Sequence, residues 1–213
     1  MFQAFRPFLW AFLPPILLNA IFILQPWFDR WLIYVDPLLA AQMAEKCCNR
    51  SFGFASNIGV LYWAAAASTC ALAAAVLWHS RAPWPHVRML ALGAMFIGFL
   101  GLDDLFMLHE NVFPRLGVPE MLVMGSYGVL AVGYLVMNWR VVLGAEPVLF
   151  VTSLGFLALS LAVDVDGNDA QDLWKLLLEE GAKLIGIAGW CVWHIRQAYA
   201  LVRGQVGDGG QPL

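Results

Sequence analysis

The chain has 213 residues, of which 61% are hydrophobic and only 13% charged, with a net charge of −3 and a mean hydropathy of +0.71. A water-soluble domain of this length has too much surface for so few charges, so the composition points to a bilayer as solvent. Scattered basic residues and a pI near 5.7 argue against a nucleic-acid partner.

Crossing hydrocarbon takes about 20 apolar residues per helix. Six stretches qualify in chain order: 7–28, 57–79, 87–112, 119–139, 147–163 and 173–197. The expected fold is all-α, a polytopic membrane helix bundle of about six transmembrane helices. Residues 1–203 form one membrane domain, and the Gly-rich segment 204–213 is a flexible tail. The fifth stretch is short, and a five-span reading survives if it is re-entrant. The first begins with one basic residue, Arg6, contains Pro14-Pro15 and lacks a clear small-x-small cleavage site, so it reads as a retained span. After it, 29–50 contains an amphipathic stretch (Trp31, Ile33, Leu38, Leu39, Met43). That stretch is either an interfacial connector or a lid on the membrane surface.

Six spans put both termini on one side, with Arg6, Arg81, Arg88, Arg140, Arg196 and Arg203. The other side holds Arg30, Lys46, Arg50, Arg115 and Lys175. This small bias gives cytoplasmic termini, in an inner or plasma membrane. Of the 15 acids, 13 fall toward the opposite side, a field that gathers cations there. Tryptophans cluster near both interfaces, as aromatic belts do.

Two charged clusters interrupt the apolar runs. Asp103, Asp104, His109 and Glu110 end the third stretch, and Glu179, Glu180 and Lys183 lie early in the sixth. Ionisable groups in membrane segments are costly and mark function by default. On one continuous helix, Asp103 and Glu110 share a face, while Asp104 and His109 point elsewhere. Asp172, Glu179, Lys183 and Trp190 recur at seven, four and seven, with Glu180 beside them. At 1.5 Å per residue both clusters lie roughly 10–16 Å below the same interface. Glycines at 93, 98, 101, 181, 186 and 189 allow close helix approach. The expectation is one shared site, with Lys183 neutralising Glu179.

Three functions compete for it. The first is a metal-dependent hydrolase or oxidoreductase acting on a lipid-like or hydrophobic substrate. Asp103, His109, Glu110 and Glu179 would hold a divalent ion (Fe, Mn, Mg, Ca or Zn). Asp104 or Glu180 would be the general base, and Lys183 would stabilise a developing anion or pair Glu179. The second is a proton- or cation-coupled transporter or channel built on the same groups. The third is an ion-paired seam in a structural subunit that sits beside a partner membrane protein. Acidic and histidine groups near one interface of six helices loosely resemble the alkaline ceramidase-type membrane hydrolases. The late His-x-x-x-His pair of that group is reduced here to His194, so the family is not assigned.

Weaker signals complete the reading. The loop 164-DVDGNDAQD has calcium-loop acids at its first and third positions but Asp169 and Lys175 where Gly and Glu are needed. A solvated turn with Asp172 as helix cap accounts for it better. His79, His86 and His194 could ligate a haem, although interfacial histidines are ordinary. Cys47-Cys48, Cys70 and Cys191 have no zinc or redox spacing. No nucleophile triad, phosphate loop or dinucleotide fingerprint is present.

Overall fold

The computed structural model describes residues 2–35, 37, 51–164 and 172–208, with side chains from Arg6 to Gln205 within those ranges. The described residues contain no strand. They form α1 (Phe2–Leu24), α2 (Arg30–Tyr34), α3 (Phe54–His79), α4 (Trp84–Phe106), α5 (Glu120–Gly144), α6 (Pro147–Asp164) and α7 (Leu173–Asp208). A π-helical turn at Leu108–Val112 and a single α turn at Phe113–Arg115 lie between α4 and α5. The calcium-like loop, Cys47-Cys48 and the segment 38–45 lie outside the described residues, apart from Asp164 and Asp172 at the loop's two ends.

Five helices are long and apolar enough to cross a membrane: Arg6–Leu24 of α1, α3, α4, α5 and α6. The short fifth stretch is thus a full 18-residue helix. The sixth differs. α7 runs for 36 residues, about 54 Å at helical rise, but its charged groups keep it out of the apolar set. It also extends through residues 204–208, which read from sequence as tail. Much of the outward surface is apolar, Leu61, Met95, Val129 and Val136 among others, compatible with a membrane protein.

The chain divides into two compact units. Residues 1–62 and 148–190 form the first, and 63–147 with 191–213 the second. In the first, Phe22, Ile33, Tyr34, Ala55, Leu176 and Leu177 make an apolar core. There α7 also approaches α6 closely: a Cβ on Gly189 would fall 2.3 Å from Ser153 Oγ. In the second, α4 and α5 run antiparallel, with α3 against α4 at Gly101. A Cβ there would lie 2.8 Å from that of Trp63, so only glycine fits this crossing.

Candidate functional site: a bridged imidazole at a helix break

The third apolar stretch was expected to be one helix over 87–112. It ends instead at Phe106, because Met107 adopts the left-handed conformation (φ 50°, ψ 50°). That geometry costs a non-glycine residue roughly 1–2 kcal/mol and persists only where the surroundings enforce it. Here the Met107 side chain is buried, and its N–H still donates to the Asp103 carbonyl. The chain then winds as a π turn, in which Val112 N–H reaches Met107 O. Pro114 has no N–H for the Glu110 carbonyl, so ordinary α hydrogen bonding cannot continue through this turn.

The break changes which residues meet. On a straight helix His109 would point away from Asp103; after the break the two converge. Asp103 Oδ1 accepts the His109 backbone N–H at 2.9 Å and the Tyr127 hydroxyl at 2.8 Å. Asp103 Oδ2 lies 2.5 Å from His109 Nδ1. On the other edge of the ring, His109 Nε2 is 3.4 Å from Glu110 Oε1. The Asp103 carboxylate therefore both caps the π turn and holds the imidazole, much as an N-cap satisfies the first donors of a helix. Asp103 is 3% exposed, whereas the Glu110 side chain is 33% exposed. Glu110 is the water-facing end of the trio and Asp103 the inward end.

His109 lies beyond the last residue of the spanning helix. Burial alone would lower its pKa, but the hydrogen bonds and charges of Asp103 and Glu110 outweigh burial and push it up to about 10. The ring is thus held as an imidazolium between two carboxylates. With Asp103 three residues from the helix end, it lies only about 5 Å along α4 from the break.

Asp104 takes another direction. Its Oδ2 accepts the Trp63 indole N–H at 2.7 Å, on the α3 side of α4, while Asp103 faces α5. In the first unit, Lys183 Nζ lies 3.6 Å from Glu180 Oε1. Glu180 is buried and Glu179 half-buried. Nearby on α1 and α2, the Tyr34 hydroxyl donates to Asn19 Oδ1 at 2.6 Å, and Asn19 Nδ2 donates to the Pro15 and Gly181 carbonyls. The expected site residues therefore fall into two groups, Asp103, Asp104, His109 and Glu110 in one unit and Glu179, Glu180 and Lys183 in the other.

Among the described residues, no group of three or more His, Cys, Asp or Glu side chains is arranged to hold a metal ion. His194, a haem-ligand candidate, is engaged, its Nε2 lying 3.1 Å from the Tyr134 hydroxyl.

The sequence reading passed over Tyr127, Tyr134 and Asn138. Their spacing of seven and four is the same one-face pattern noted in the sixth stretch, set in an otherwise apolar helix. That signal was available. The trio instead depends on the Met107 break, for which Pro114 is the nearest sequence signal.

No curated protein and no solved structure matches the chain. Residues 10–197 match the family described as a domain of unknown function, DUF8692, and the chain belongs to that family.

Proposed function

We propose that the protein moves protons, as a proton-coupled membrane transporter or channel, with the Asp103–His109–Glu110 trio as its exchange site. The observation that carries this reading is the imidazole bridged between a half-exposed and a buried carboxylate. A charged His109 donates from both nitrogens. Loss of the Nδ1 proton to Asp103 leaves the Nε2 proton facing Glu110, and loss of the Nε2 proton to Glu110 leaves the Nδ1 proton facing Asp103. One ring can therefore deliver to the water side or to the interior. Glu110 trades protons with water, and the Tyr127 hydroxyl meets Asp103 on its inward side. The metal-dependent enzyme draws no support from this arrangement, because no group of three or more His, Cys, Asp or Glu side chains among the described residues is placed to hold an ion.

The test is proton flux into liposomes holding the purified protein and a pH-sensitive dye, driven by a potassium diffusion potential. Wild type should acidify the interior well above protein-free vesicles. Asp103→Asn and Glu110→Gln should cut that rate about a hundredfold, the scale on which positioned proton donors act. Wild-type flux no greater than that of empty vesicles would sink the proposal. Unchanged flux in folded Asp103→Asn would reduce the trio to a helix clamp.

A further inference from the structure

We infer that Tyr134 and His194 form a second proton station in the same unit, joined to the trio by the polar face of α5; this rests on the proton-transfer reading above. Tyr127, Tyr134 and Asn138 share one face of α5, and each meets a different partner. Tyr127 holds Asp103 on α4. Tyr134 shares a 3.1 Å hydrogen bond with His194 Nε2 on α7. Asn138 lies 3.4 Å from Arg88 Nε on α4, whose Nη2 donates to the Met137 carbonyl. The levels are separated by about 10 Å and 6 Å along α5. On α4 the span from Asp103 to Arg88 is about 22 Å, most of a hydrocarbon core of about 30 Å.

The middle level is costly to build and serves no part of the trio. His194 is 0% exposed, and burying an imidazole and a phenol together is unfavourable unless each satisfies the other. Space for them comes from Gly93, where a Cβ would lie 3.4 Å from both the Tyr134 hydroxyl and His194 Cδ2. The Trp193 ring packs edge-on against His194 at 4.7 Å. Among the described residues, the buried thiol of Cys70 on α3 faces Tyr134, with Cys191 on α7 beside it.

The chemistry fits relay. The Tyr134 hydroxyl can take a proton on its lone pair while passing its own to His194 Nε2, so no phenolate forms. Between the levels lie aromatic rings: Phe99 packs edge-on against Tyr127 and Phe96 stacks on Tyr134.

The experiment pairs the liposome flux assay with nitrogen-15 NMR of histidine-labelled protein, the His194 signal being assigned by its loss in His194→Gln. The expected result is that Tyr134→Phe and His194→Gln each lower flux at least about tenfold, and that the His194 signal changes protonation state with pH in the wild type. In Asp103→Asn its titration should slow or vanish. Tyr134→Phe, which loses one hydroxyl only, serves if His194→Gln does not fold. Flux lost in Asp103→Asn but unchanged in Tyr134→Phe overturns this inference and leaves the trio's role standing. A wild-type protein without flux overturns the earlier reading, and a His194 signal that still titrates only while Asp103 is present would uphold the connection alone.

Discussion

Replacing Asp103 with Asn tests the trio by stability as well as by transport. Asn keeps an acceptor at the Oδ1 position for the His109 backbone N–H and the Tyr127 hydroxyl. It places an NH2 where Oδ2 now meets Nδ1–H, so two donors face each other 2.5 Å apart. Removing one partner of a buried ion pair costs about 3–5 kcal/mol. The variant has one escape: a neutral His109 can accept from the new NH2 at Nδ1 and keep its Nε2 proton toward Glu110. That escape sets the pH dependence. The His109 pKa is raised in the fold to about 10, above an unfolded value of about 6.5. Its contribution to wild-type stability is therefore complete below about pH 6.5 and lost as pH rises through about 10. The difference between wild type and Asp103→Asn should be largest at pH 6 and should shrink toward pH 10. For a chain of this size about 3 kcal/mol corresponds to a Tm difference of roughly 6–12 °C, read by thermal melting in detergent at both pH values. A difference that stays constant or widens with pH would show that His109 is not held charged by Asp103.

Two further predictions concern stability alone. Met107→Gly relieves a left-handed backbone worth roughly 1–2 kcal/mol but deletes a buried side chain worth about 2–5 kcal/mol; the loss wins, and the melting temperature should fall by a few degrees. Lys183→Met and Glu180→Gln should each destabilise the first unit, while the double variant recovers part of the loss. A coupling energy of about 0.5–3 kcal/mol would establish that their 3.6 Å approach matters, and a coupling near zero would show that it does not.

The helices themselves were readable because a helix able to cross a membrane needs only length and apolarity, and α3, α5 and α6 fall close to the stretches expected for them. The site was less readable. Asp103, His109 and Glu110 stand out as charges in an apolar run, but their geometry follows from a single backbone residue. Met107 is an ordinary helix former, and its φ of 50° is imposed by packing and by the cap that Asp103 supplies. Helical arithmetic carried through such a break sends every later residue to the wrong face. Trp63 escaped notice for a different reason. A tryptophan in a membrane helix reads as an interfacial anchor, and only the glycine crossing at Gly101 brings its indole to Asp104.

The polar contacts along α4 and α5 have a consequence for assembly that holds whatever passes between them. Two apolar helices in lipid can slide against each other with little change in energy, since every register buries similar side chains. Asp103 with Tyr127, the Gly93 gap filled by Tyr134, and Arg88 with Asn138 break that degeneracy. Sliding α5 by one turn sets Tyr127 against another part of α4 and removes three contacts at once: Tyr127 from Asp103, Tyr134 from His194 and Arg88 from Asn138. At buried contacts, where water offers no replacement, those three losses together select one alignment of the pair, so the same side chains that shape the site also tell the chain how to fold.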